Sequence, residues 1–256
     1  MTSSGTSSGT SSDVWDAGTA QAYDAENTAM SAPEVLGPTL DRLVALAEGG
    51  PVLELAIGTG RVAVPLADRG LAVSGVELSA PMVAELRRKA DAARIPVVVG
   101  DMARVRVAGE FSLVYLVFNT ISNLLEQDEQ VACFANAAAH LRPGGRFVVE
   151  LGVPDVRRLA PGREAAIFET GPGRVGLDTY DPVTQRMVSH HFRFSPDHAV
   201  TGAELFRSRH RYAWPAELDL MARLAGLELE HRWAGWSEES FTAESESHVS
   251  VYRRPG

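Results

Sequence analysis

The chain has 256 residues, 45% of them hydrophobic, and a formal net charge of −9. That length suits one full α/β domain with an insertion better than two independent domains. The acidity argues against nucleic-acid partners, whose binding is dominated by phosphate neutralisation, and no apolar run approaches the ~18 residues of a membrane span.

Residues 1–12 are all Ser, Thr and Gly apart from Met1; with no apolar surface to bury, they are expected to be a disordered tail. No basic stretch leads into an apolar one, so no secretory signal is expected. Residues 13–48 read as helical in pieces. Ser31-Ala32-Pro33-Glu34 opens a helix with a cap-like serine, Leu40, Leu43, Val44 and Ala47 recur at helical spacing, and Gly49-Gly50 ends it. Strands are then expected near 51–56, 72–77, 95–99, 111–117 and 146–151, with helices near 62–69, 80–93 and 127–141 between them. Pro65 is tolerable if its helix caps near Val62. This alternation predicts a doubly wound parallel sheet. Cys133, the single cysteine, falls on the apolar side of the 127–141 helix as a core filler. It cannot form an intramolecular disulfide, and a reducing cytoplasm is the expected compartment.

Residues 160–212 leave the alternation. Ala166-Ile167-Phe168, Val175-Gly176-Leu177, Met187 through Phe194 and Ala203 through Trp214 read as consecutive strands, joined by turns at Gly171-Pro172-Gly173, Asp181-Pro182 and Ser195-Pro196-Asp197. After them, Pro215 through Ala225 reads as a helix. Residues 227–233 and 246–253 then form strands with no helix between them, so they must pair antiparallel.

The most informative stretch is Val52-Leu53-Glu54-Leu55-Ala56-Ile57-Gly58-Thr59-Gly60-Arg61. Its two glycines permit a tight strand-to-helix turn with close approach of a ligand, and the turn aims free N–H groups at that ligand. Gly58-x-Gly60-x-x-Ala63 by itself also fits a dinucleotide site. Glu77 ends the next strand, where a carboxylate accepts hydrogen bonds from ribose hydroxyls. Asp101 ends the third in Gly100-Asp101-Met102, placed to accept from an adenine amino group while Met102 lies on the ring.

This ladder resembles the class I S-adenosylmethionine-dependent methyltransferases. Their acid-x-Gly-x-Gly-x-Gly motif appears as Glu54-x-Ala56-x-Gly58-x-Gly60, with Ala56 departing from it. The likeness continues at Glu77, at Gly100-Asp101-Met102 and at Leu141-Arg142-Pro143-Gly144-Gly145-Arg146-Phe147. It implies an α/β, Rossmann-like seven-stranded sheet ending in an antiparallel hairpin, with an antiparallel β lid inserted after strand 5. The core is then 13–159 plus 213–256, and the lid 160–212 binds the acceptor, as in glycine-type and amino-sugar methyltransferases. The implied cofactor is S-adenosylmethionine, bound by Tyr23, Glu54, Ala56, Gly58, Gly60, Glu77, Leu78, Asp101, Met102 and Phe118, with Tyr23 on an N-terminal segment that closes over the donor. The alternative for Tyr23 is a surface aromatic packed on the sheet edge.

Methyl transfer is an in-line displacement that asks the protein to align reactants, exclude water and handle one proton. No Cys/His cluster suggests zinc, and the Asp/Asp-Asn pattern of metal-dependent O-methyltransferases is missing, so no metal is expected. Phe118-Asn119-Thr120-Ile121-Ser122-Asn123-Leu124 occupies the loop where donor and acceptor meet in this family. Amino-sugar dimethyltransferases carry a histidine near Asn123, and that base is replaced here. Asn119 and Asn123 are expected to orient the acceptor or to cap the following helix. Strand alternation phased on aromatic residues puts Val188, His190, Phe192 and Phe194 on one face and Phe206, Ser208, His210 and Tyr212 on another. His190 and His210 are therefore the expected proton-handling groups, with Tyr212 beside the substrate; the other reading is satisfied core histidines.

The resulting expectation is methyl transfer to nitrogen or oxygen of a small-molecule acceptor in secondary metabolism, by a cytoplasmic monomer or homodimer without membrane or nucleic-acid partners. Three alternatives stay open at this point: a nicotinamide-dependent oxidoreductase, a peptide N-terminal methyltransferase, and a catalytically silent donor-binding protein. The terminal hairpin and Asp101-Met102 speak against the first.

Overall fold

A computed structural model describes residues 17–159, 162–194 and 203–256; the expected tail at 1–12 and the turn at Ser195-Pro196-Asp197 lie outside them. The strands are β1 (Val52–Leu55), β2 (Val73–Glu77), β3 (Val97–Val99), β4 (Phe111–Leu116), β5 (Leu141–Gly152), β6 (Ala165–Gly171), β7 (Arg174–Asp181), β8 (Arg186–Phe194), β9 (Ala203–Arg211), β10 (Glu228–Trp233) and β11 (Ser247–Arg253). The helices are α1 (Ala17–Glu26), α2 (Pro33–Ala47), α3 (Ala63–Asp68), α4 (Ala80–Arg87), α5 (Gln127–His140) and α6 (Pro215–Leu224).

Every residue of β1 and β4 is buried, as strands covered on both faces require. They lie at the centre of a seven-stranded sheet ordered β10-β11-β5-β4-β1-β2-β3. The five strands from β5 to β3 run parallel, whereas β11 pairs antiparallel with both β5 and β10. The expected terminal hairpin is present, and it separates this sheet from an all-parallel dinucleotide fold. Alternate side chains feed two cores. On one face Phe134 meets the edge of Phe147 at 5.1 Å and Tyr252 at 5.7 Å; on the other Leu43, Val52, Leu113 and Val148 pack together. Cys133 is wholly buried in the first core, where desolvation pushes its thiol up to about 12, which suits a filler and not a nucleophile. Among the described residues no helix is long and apolar enough to cross a membrane.

Local chemistry shifts several expected boundaries. Ala32, and not Ser31, precedes the first turn of α2 and makes no side-chain cap bond, because Ser31 belongs to a 3₁₀ turn over Thr28–Ser31. Pro65 falls in the first turn of α3, where its missing N–H has no intrahelical partner to lose. The helix expected over 80–93 stops at Arg87. Beyond it, Asp91 accepts the Arg94 N–H at 2.8 Å, a local bond that competes with helix continuation.

β6 to β9 form a separate four-stranded antiparallel sheet in sequence order, as the turn spacing predicts. Its last strand is tied to the core. The Arg211 side chain is buried and donates to Gln130 Oε1 at 2.6 Å and to Glu217 Oε1 at 2.7 Å.

Candidate active site

β1 ends in a turn where Ala56, Gly58 and Gly60 all have positive φ (54°, 56° and 80°). A side chain at Gly60 would strike Leu86, whereas the space over Gly58 holds no protein atom within 4 Å. The turn is therefore closed toward α4 and open above Gly58, the shape a bound ligand needs. Ala56, standing where the family motif has glycine, carries a positive φ, the region glycine enters most readily.

Glu77, buried at the end of β2, accepts the Gly58 N–H at one oxygen and the Ser79 N–H at the other, both at 2.8 Å. Burial raises its carboxyl, and the bonds from Ser79 and Gly58 oppose that rise. Each oxygen retains lone-pair capacity for a hydroxyl. Glu54, below the turn, accepts the Tyr115 hydroxyl at 2.8 Å. Its burial pushes the carboxyl up to about 8 against the Tyr115 bond and the nearby Arg61 charge. Asp101 accepts the Ala103 N–H at 2.8 Å and faces Arg104 at 3.4 Å, so it also fixes its own turn. Beside these acids Met102 is buried and Leu78 is exposed.

α1 docks onto the glycine turn. Thr59 donates its hydroxyl to Asp24 at 2.7 Å, and Lys89 pairs with Asp24 and donates to the Thr59 carbonyl. This brings Tyr23 to the mouth of the cradle, where burial raises its phenol. Opposite, Phe118 and Asn119 both adopt positive φ. Glu150 holds that bend by accepting the Phe118 N–H at 2.7 Å and the Trp236 indole N–H at 2.9 Å, and the Arg61 guanidinium lies over the Phe118 ring. Asn119 accepts the Gly152 N–H at 2.6 Å. It therefore pins the loop to β5 and does not cap a helix by its side chain.

Tyr23, Phe118, Asn119 and Asn123 form one side of a cavity of about 600 Å³, and the inner face of the lid forms the other. His210 and Tyr212 line it as the sequence predicts; His190 does not. In the register His190 pairs with Arg207 and His191 with Phe206, so the odd residues of β8 share a face with the even residues of β9. His190 is turned to the other side of the sheet, where its ring contacts Thr179 Oγ1 at 3.1 Å and accepts from Arg207 Nε at 3.3 Å. Phe192 and Phe194 misphase the strand when it is read alone. His191 takes the inward place, between Phe168 and Phe206. His210 lies 2.8 Å from the Ser208 hydroxyl, and burial, with a smaller contribution from His191, pushes it down to about 4. Sequence reasoning also missed Asp178, which shares the inner face with Tyr180 and Ser189. Its signal was pairing, since Asp178 lies opposite Ser189 in the register.

The general methyltransferase-domain family matches residues 52–145. A cypemycin N-terminal methyltransferase from a Streptomyces species is 31% identical over 210 residues, covering 81% of this chain and 84% of the relative. The CcbJ methyltransferase of Streptomyces caelestis is similar in structure, with TM-score 0.76, 43% identity, and 86% and 89% of the two chains covered. CalS10, an amino pentose methyltransferase of Micromonospora echinaspora solved with S-adenosylmethionine bound, shares the fold at TM-score 0.65 and 22% identity, over 86% of this chain and 90% of its own.

Proposed function

The chain belongs to the class I S-adenosylmethionine-dependent methyltransferases, and on that premise we propose that it methylates a nitrogen or oxygen of a small-molecule acceptor in secondary metabolism. The observation that carries this is the cavity that Tyr23 and Phe118 of the donor cradle share with the lid. When bound, the donor supplies an activated methyl group on a sulfonium, so the protein has to align, desolvate and handle a proton.

Glu77 takes the ribose hydroxyls, Asp101 and Met102 with Leu78 take the adenine, and the open turn from Glu54 and Ala56 through Gly58 to Gly60 takes the methionine portion. Tyr23 and Phe118 close the junction around the reacting methyl. Asn123, His210 and Tyr212 contact the acceptor, while Asn119 acts through the loop it pins. The core comprises 13–159 and 213–256, the lid 160–212 delivers the acceptor, and the cytoplasm is the proposed compartment.

Turnover of labelled S-adenosylmethionine against amines, phenols, sugars and a peptide with a free N-terminus tests the reading. Transfer to at least one small molecule is expected. A donor that binds but never turns over overturns it in favour of a silent binding protein, and transfer to the peptide alone makes the acceptor a peptide α-amine.

A further inference from the structure

Asp178 has no part in the roles above, yet it stands mid-strand on the cavity face of β7. Ser189 Oγ donates to one of its oxygens at 2.6 Å and the Tyr180 hydroxyl to the other at 3.3 Å. An ionised carboxylate offers about four acceptor positions, so two uncharged donors leave half of them for a ligand. Among the described residues, the groups whose charge would pull its carboxyl down are the imidazoles of His191 and His190, with no lysine or arginine beside them. A half-buried carboxylate without a strong counter-ion is costly unless a cation arrives. Burial accordingly raises Asp178, with the bonds from Ser189 and Tyr180 opposing that rise.

The surroundings point the same way. Asp155 and Glu246 line the same cavity, and among its described lining residues there is no lysine or arginine. Phosphate recognition relies on such cations, and a phosphate placed beside Asp178 would meet a carboxylate instead.

We propose that Asp178 receives the amine of the acceptor, and that the acceptor is an amine bearing no phosphate; this rests on the methyl-transfer reading above. The bound ammonium gives one proton to the Asp178 carboxylate, which frees the nitrogen lone pair. The nitrogen then forms the new N–C bond as the methyl's C–S bond breaks and leaves its electron pair on sulfur. The product departs as a methylammonium, and Asp178 returns its proton to water.

The test uses the full chain with labelled S-adenosylmethionine and matched probes: phenethylamine against 2-phenylethanol, D-glucosamine against D-glucose and D-glucosamine 6-phosphate, and primary and secondary amines of similar size. Turnover is expected with unphosphorylated amines alone. On the best of them Asp178→Asn should lower kcat/KM by ~10²-fold or more, the range for positioned proton transfer. Donor Kd by calorimetry should stay within about twofold, and Asp178→Glu should recover part of the rate. A preference for an alcohol or a phosphorylated amine overturns the proposal. So does an inert amine set with the donor bound, or an Asp178→Asn variant that keeps its rate. Failure of the wild-type chain to bind donor would instead overturn the methyl-transfer reading itself.

Discussion

His190 pairs with Arg207 across β8 and β9, whereas His210 pairs with Met187, and this register alone decides which histidine meets the cavity. His190→Ala should therefore leave kcat/KM within about twofold of wild type. His210→Ala should lower it roughly tenfold, the worth of one ordinary hydrogen bond of ~1–1.5 kcal/mol, with donor affinity unchanged. A histidine held down to about 4 stays neutral from pH 6 to 8, so the two pH profiles should run parallel there. Steady-state kinetics on both variants checks this, and a larger loss in His190→Ala would contradict the register.

The backbone of the candidate donor half was legible because its signals are local. Glycines at fixed offsets and acids at strand ends report their own backbone, and Glu54, Gly58, Gly60, Glu77 and Asp101 all fall at the strand ends and turns expected of them. The lid was legible as four strands but not as two faces. A strand's phase depends on its neighbour, and neither Phe192 nor Phe194 carries that information. Asp178 and Glu150 were invisible for the same reason: their partners Ser189 and Phe118 lie 11 and 32 residues away.

Removing the Glu77 side chain takes away its proposed ribose contact and the acceptor for two backbone N–H groups. Glu77→Ala should weaken donor binding by about 1.5–3 kcal/mol, the range for hydrogen bonds to a charged group, and should lower folding stability as well. Glu77→Gln keeps an acceptor oxygen and should lose less of both. Calorimetry beside urea denaturation separates the two effects. Unchanged donor affinity in a folded Glu77→Ala variant would remove Glu77 from the ribose site.

The lid is separable only down to Arg211. Replacing residues 163–209 with a short flexible linker should leave donor Kd within about threefold and abolish acceptor turnover, because β6 to β9 pair with one another. Arg211→Ala in the intact chain should cost ~3 kcal/mol or more, since it leaves Glu217 and Gln130 without their buried partner. Normal turnover by the shortened chain would exclude the lid as the acceptor site.

Ala56 carries a left-handed backbone, with φ of 54°, where an L side chain is strained by about 1–2 kcal/mol. Glycine removes that strain but costs about 0.5–1 kcal/mol in unfolded-state entropy. Ala56→Gly should thus be stabilising by a few tenths to about 1 kcal/mol in urea denaturation. A clear destabilisation would mean that the methyl's packing outweighs the strain.

Glu54 gives the pH dependence its sign. Its carboxyl is raised to about 8 by burial in the folded chain against about 4.3 unfolded. Between those values the folded state binds more protons than the unfolded one, so the contribution of Glu54 to stability falls as pH rises through that window. Glu54→Gln keeps an acceptor for the Tyr115 hydroxyl and has no charge to desolvate. The stability of wild type minus that of Glu54→Gln should therefore decline between pH 5.5 and 7.5, by at most about 1.4 kcal/mol per pH unit, and level off above pH 8. Titrating groups that do not interact with Glu54 cancel in this difference, and Glu77, whose charge raises Glu54, adds to the decline it reads. Urea denaturation of both proteins across that range is the measurement, and two parallel stability curves would mean that Glu54 is already ionised in the folded chain.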